Sequence, residues 1–216
     1  MKHKADVESR LRARRVKPET LANEAMRDPA LVPEILKGIY SPIPRVKFGC
    51  AKTLNILSDR RPEILYPEFE FFAGLLDSDN KIIKWNAIDV LANLTRVDDK
   101  ERFEKLFSKY YGFLDDNVMI SAAHVIDNSG RIARAKPQLA GRITDELLKA
   151  EGTERDPECR NILLGKAISA FQDYFDLVEK KDEVMFFARG QLSNTRNATK
   201  AKARDFLKTI ESRKAG

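Results

Sequence analysis

The sequence predicts an all-α chain of about five stacked helix pairs. The first observation is a repeated segment. Residues 83–94, IKWNAIDVLANL, align with residues 46–57, VKFGCAKTLNIL, at an offset of 37. Downstream, ISAAHVIDN (residues 120–128), AISAF (167–171) and ARDFLKTI (203–210) carry parts of the same pattern, at offsets of 35, 45 and 36. Self-similarity at a period of about 35–45 residues marks repeated units that stack. The second observation is the spacing inside each copy. Ile83, Ala87, Val90 with Leu91, and Leu94 recur every three or four residues, which puts them on one helical face. The third is that no segment sustains the alternation, rich in β-branched residues, of a half-buried strand.

Taken in order, residues 1–17 read as a basic helix or tail, with Val7, Leu11 and Val16 as a thin apolar stripe, and residues 18–213 as a single helical domain. Pro18 opens a helix, as proline is favoured in a first turn, and Leu21, Ala22 and Ala25 share its apolar face. After Asp28-Pro29, residues 30–39 form the next helix. Ser41-Pro42-Ile43-Pro44 cannot continue it, because proline lacks the donor and restricts its predecessor. Residues 45–58 are the second helix of the first repeat. Pro62 opens a helix to Leu76, and the turn Asp77-Ser78-Asp79-Asn80 offers side chains that accept from free helix N–H groups. Residues 81–96 are the second helix of the next repeat. Asp98-Asp99 caps a helix over 100–114, and Asp115-Asp116-Asn117 precedes another over 118–132. Pro137 opens a helix to about Ala150. The polar stretch 151–157 accounts for the offset of 45, and helices over 158–176, 182–192 and 195–213 complete the chain.

The most regular column of the alignment holds a small residue: Cys50, Ala87, Ala122, Ala167 and Ala203. A small side chain there lets the helices of a pair approach closely. One pair cannot bury its apolar face alone, so neighbours must stack into a continuous core.

The chain of 216 residues has a net charge of +6 and a pI near 9.2. The excess is at the ends. Residues 1–17 hold Lys2, Lys4, Arg10, Arg12, Arg14, Arg15 and Lys17 against Asp6 and Glu8, and the C-terminal end is also basic. Such ends either meet nucleic acid or an acidic partner, or are solvated capping helices. No apolar run approaches the roughly 18 residues of a membrane-spanning helix. The N-terminus carries charges without an apolar core, so no secretory signal is expected and the cytoplasm is the expected location. Cys50 and Cys159 sit in helical apolar patterns and read as small buried thiols. His3 and His124 form no cluster with other ligands, so neither a metal nor a small-molecule cofactor is expected.

Asp79-x-x-x-Ile83-Lys84-x-x-Ala87-x-x-x-Leu91 resembles the second-helix pattern of HEAT repeats: Asp, then Val-Arg, then Ala, then Leu. Lys47 and Lys84 stand where the family usually has Arg, and repeats three to five lose the Asp and the basic residue in whole or part. The resemblance covers residues 28–213, with armadillo-type solenoids as near neighbours. It implies a right-handed α-α superhelix and a scaffold or adaptor that grips an as yet unidentified protein along the concave surface of its second helices.

On that surface the expected partner-binding residues are Phe48, Lys52, Asn55, Trp85, Asp89, Asn93, His124 and Asn128. Phe48 and Trp85 occupy equivalent positions, either packed between repeats or forming an anchor pocket of the kind aromatics supply at interfaces. Asn93 and Asn128 either bond the backbone of an extended peptide or serve local turns. The alternative is nucleic-acid binding through Arg12, Arg14, Arg15, Arg196, Lys200 and Arg204. HEAT-like DNA glycosylases use a groove with an acid and aromatics, and Asp89 one turn from Trp85 is similar in class, but no glycosylase motif matches. There is no Gly-rich phosphate loop and no nucleophile elbow, so no catalytic residue is expected. One member of Phe71-Phe72 and of Tyr110-Tyr111 is expected in the core.

Overall fold

The structure is a computed structural model that describes residues 6–152 and 155–214, with the side chains of residues 213 and 214 excepted. Lys2, His3 and Lys4 lie outside the described residues. Among the described residues every regular element is helical. The helices are α1 (Val7–Arg12), α2 (Pro18–Arg27), α3 (Val32–Gly38), α4 (Pro44–Arg60), α5 (Pro62–Leu65), α6 (Phe69–Leu75) and α7 (Lys81–Leu94). After them come α8 (Arg102–Tyr111), α9 (Met119–Ala135), α10 (Ala140–Leu148), α11 (Pro157–Tyr174), α12 (Lys181–Gly190) and α13 (Asn197–Lys214).

The chain divides into two compact units, Met1–Phe103 and Glu104–Gly216. In the first, α2, α4 and α7 pack side by side as a row of second helices, with α3 and the α5–α6 segment behind them. The row begins one helix earlier than the repeat alignment places it, because α2 lies against α4 as α4 lies against α7. Thr53 Oγ1 reaches Pro18 O across the first contact, and Asn86 Nδ2 donates to Ala51 O at 2.9 Å across the second. The thin stripe of residues 1–17 is enough to seat α1: Val7, Leu11 and Val16 are buried, and Leu11 lies against Gly49 of α4. In the second unit the row is α9, α11 and α13, with α10 and α12 behind it.

The turns are capped where their acidic and amide residues foretell. Asn80 accepts from Ile83 N at 3.2 Å, Asp116 from Val118 N at 3.0 Å and Asp156 from Glu158 N at 3.0 Å. Asp98 accepts from the N–H groups of Arg102 and Phe103, each at 2.9 Å, and from the Tyr66 hydroxyl at 2.6 Å. Burial and this bond push the Tyr66 phenol up to about 12. α8 begins at Arg102 rather than at residue 100, because Glu101 sits in the left-handed region (φ 53°) that a right-handed helix excludes.

Two helices expected as continuous are interrupted. The span from Pro62 to Leu76 is α5, a 3-10 turn Tyr66–Glu68 and α6, with Pro67 in that turn. Proline has no N–H to donate and its ring clashes with the preceding turn. The helix from Pro137 likewise starts as a 3-10 turn, Pro137–Leu139, before α10.

The core follows the alignment. Cys50, Ala87, Ala122, Ala167 and Ala203 are each 0% exposed. Large apolar side chains flank them, each contributing about 1.5–3 kcal/mol when fully buried. A Cβ added at Gly38 would stand 2.3 Å from Cys50 Sγ, so α3 and α4 approach as closely as the small column requires. Second helices also meet at glycines: a Cβ at Gly130 would lie 2.7 Å from Asp173 Cβ, and one at Gly165 lies 2.7 Å from Thr199 Oγ1. Of the aromatic pairs, Phe72 is buried and Phe71 half-buried, but both Tyr110 and Tyr111 are in the core. Tyr111 stacks on Phe107 and its hydroxyl donates to Ser129 Oγ at 3.2 Å, which makes its burial tolerable. Cys50 is buried as expected, whereas Cys159, near the start of α11, is only half-buried.

Candidate functional site

The outward side of the row in the first unit carries five of the predicted residues. Phe48 and Lys52 lie one turn apart on α4, as do Trp85 and Asp89 on α7. Phe48, Asn55, Trp85 and Asp89 are half-buried, and Lys52 is exposed. Lys52 Nζ pairs with Glu19 on α2 at 2.9 Å, and that bond holds the Glu19 carboxyl below its usual range. Both partners are largely exposed, so this ion pair adds little stability. Asn55 Nδ2 donates to Asp89 Oδ2 at 3.4 Å, at the long limit of a hydrogen bond. Lys52, Asn55 and Asp89 are thus brought together as a polar ladder running across α2, α4 and α7.

Asn93 does not join them. It is 1% exposed, and its amide donates to Ser58 Oγ at 2.9 Å between α7 and α4. Its polar group serves the stack, since a buried amide without a partner costs about 1–3 kcal/mol. In the second unit Asn128 is 5% exposed and donates to the carbonyl of His124 one turn back. Both are interior: Asn128 makes a local bond, as the second of the two expectations had it, and Asn93 bonds across to the neighbouring helix. His124 is half-buried on α9.

The C-terminal ends of second helices show a feature that residue-by-residue reading missed. Arg60 donates to Asn23 Oδ1 on α2 at 2.9 Å, and Arg96 to the carbonyls of Ser58 and Asp59 at the end of α4. Arg134 holds Asp173 O at 2.8 Å and the Asp176 carboxylate. Arg96 and Arg134 meet the carbonyl-rich, negative end of a neighbour, Arg134 a carboxylate beside it as well, and Arg60 a side-chain amide of α2. Their recurrence near one repeat period was the available signal.

Of the predicted basic residues, Arg12 at the end of α1 and Arg14 and Arg15 just beyond it are exposed, with Arg14 at φ 58°. Arg196 is already paired with Glu158, Lys200 is half-buried, and Arg204 is exposed. Two cations not singled out beforehand come together here: Lys166 of α11 and Lys202 of α13, one repeat period apart. Lys166 pairs with Asp127 on α9. Burial, then the Lys166 charge, hold the Lys202 ammonium below its usual range, with Asp127 opposing and Arg196 adding to the effect. Among the described residues no three His, Cys, Asp or Glu side chains are grouped to hold a metal ion, and no helix is long and apolar enough to cross a membrane.

The chain resembles solved helical-repeat structures over nearly its whole length. It matches a designed armadillo repeat protein with a TM-score of 0.57 at 14% identity, covering 94% of this chain and 90% of that one. The chain has an armadillo/HEAT-like helical-repeat solenoid fold. A second match, an engineered protein from the Northeast Structural Genomics Consortium, has a TM-score of 0.51 at 19% identity, covering 97% of this chain and 93% of that one. At these identities the likeness is one of fold. No family model and no curated protein matches the sequence.

Proposed function

We propose that the chain is a non-enzymatic scaffold that binds a protein partner along the outward face of its second helices. The observation that carries this is in the first unit: two aromatic side chains in equivalent positions, Phe48 and Trp85, neither fully buried, each one turn from a polar member of the ladder. Rigid aromatic rings beside exposed polar groups are the usual anchors of protein interfaces. The fold supports the reading, because stacked repeats expose long helical faces. A reducing setting such as the cytoplasm fits two cysteines that form no disulfide.

A second reading is nucleic-acid binding, favoured by exposed Arg12, Arg14 and Arg15 and by the crowding of Lys166, Lys202 and Arg196. An anion would relieve that crowding, and the affinity of a nucleic acid would fall steeply with salt, because releasing its counterions gains less in a more concentrated solution. Affinity capture from native lysate at low and high salt, with nuclease, separates the two. A protein retained at high salt after nuclease supports the scaffold. Recovery of nucleic acid at low salt alone overturns it in favour of the basic residues.

A further inference from the structure

On the far side of the second unit from its row of second helices, α10 and α12 lie against each other. Two adjoining cavities open along them, each of about 420 Å³, and Leu148 and Glu183 line both. That volume is within the range of about 300–1,000 Å³ common for ligand sites. At the α12 end the lining is half apolar. Leu148 is half-buried, Phe187 is 3% exposed, and Phe186 stands 76% exposed at the rim. α12 is already anchored by buried Val184, Met185, Phe187 and Ala188. Phe186 therefore adds almost nothing to folding. A single exposed apolar residue is ordinary; this one borders a cavity that Leu148 and Phe187 line together with three carboxylates.

The surroundings of that cavity are acidic. Glu151, Asp182 and Glu183 line it, and among the described residues none of the three forms an ion pair. The neighbouring cations have their direct partners outside the cavity, though Lys180 also feels the Glu183 charge. Lys149 pairs with Glu146 at 2.9 Å, Lys180 with Asp145 at 2.6 Å, and the Arg142 guanidinium lies 3.9 Å over the Phe107 ring. Asp182 and Glu183 sit in the first turn of α12, where negative charge suits the helix dipole. That role does not explain Phe186; Glu151, at the end of the preceding repeat, accepts from Gln191 Nε2 at 2.6 Å through one oxygen.

We infer that the α10–α12 groove docks a short basic segment of a partner protein, whose large apolar side chain seats against Phe186 and Leu148 while flanking Lys or Arg side chains meet Glu151, Asp182 and Glu183. The apolar contact supplies affinity, and the carboxylates set the sign of the partner's charge. This surface is separate from the second-helix face, and the two stand or fall independently.

The test is selection from a displayed library of random dodecapeptides on the full chain, with the enriched peptides then measured on Phe186→Ala. Enriched peptides carry Lys or Arg around an aromatic or large aliphatic residue. Their Kd rises about tenfold or more with Phe186→Ala and with Glu183→Lys, and is unchanged with Trp85→Ala. Both groove substitutions are at exposed positions, so the melting midpoint stays in place and folding is not at issue. No enrichment, enrichment of acidic or neutral peptides, or binding indifferent to Phe186→Ala overturns the inference. So does a dimer in sedimentation that dissociates with Phe186→Ala, because the groove would then belong to a second copy.

Discussion

At Cys50 the thiol fills the space left by Gly38, and burial, reinforced by the charges of Glu34 and Glu8, pushes it up to about 12. The thiolate is the reactive form, so this group is protonated and shielded across the neutral range. A thiol reagent at pH 8 should therefore label Cys159 in the native chain and reach Cys50 only on unfolding, read by mass spectrometry of peptides. Rapid native labelling of Cys50 would contradict its place in the core. The small column itself was visible in the sequence, since its members recur at the repeat period. Asn93 was not legible in the same way. Its position on the polar flank of α7 is clear from spacing, but the Ser58 hydroxyl that occupies its amide lies 35 residues back. Only the register between helices shows that pairing. Burial of both Tyr110 and Tyr111 was hidden for a similar reason: Ser129, which satisfies one hydroxyl, belongs to another helix.

At the scale of the element, second helices were easier to read than first helices. α4, α7, α9 and α11 carry long apolar faces and clear cap turns, and their ends fall within a few residues of expectation. The first helices are short and amphipathic, and prolines such as Pro67 divide them. The place of α2 in the row was missed because its repeat-like residues, Leu21, Ala22 and Ala25, are too few to align. Mid-helix glycines were a signal left unused: Gly49, Gly130 and Gly165 each mark a close approach to a neighbouring helix. The register itself can be tested on α7. Ala87→Leu forces extra methylenes into a site that is 0% exposed, and should lower stability by roughly 1–3 kcal/mol in urea unfolding. Lys52→Gln, which removes an exposed ion pair, should change it by less than about 0.5 kcal/mol. Equal effects of the two would mean that the small column is misplaced.

For the whole molecule, the sequence carries its architecture in a periodic pattern and its function in residues outside that pattern. Apolar and small positions repeat because every layer solves the same packing problem. Phe186, 76% exposed, is not required by that problem, and this is what makes it informative. The predicted face was legible as two aromatic–polar pairs on α4 and α7. The inter-helix bonds that remove Asn93 from it, and the crowding of Lys202 with Lys166, needed coordinates. The measurement that tests the central claim most directly is protein capture at high salt after nuclease, comparing the native chain with a Phe48→Ala, Trp85→Ala double variant whose melting midpoint has been checked. The account predicts a partner held by the native chain and lost at least tenfold by the folded double variant, about 1.4 kcal/mol or more of binding energy. A partner retained in full by that variant would contradict binding through the second-helix face.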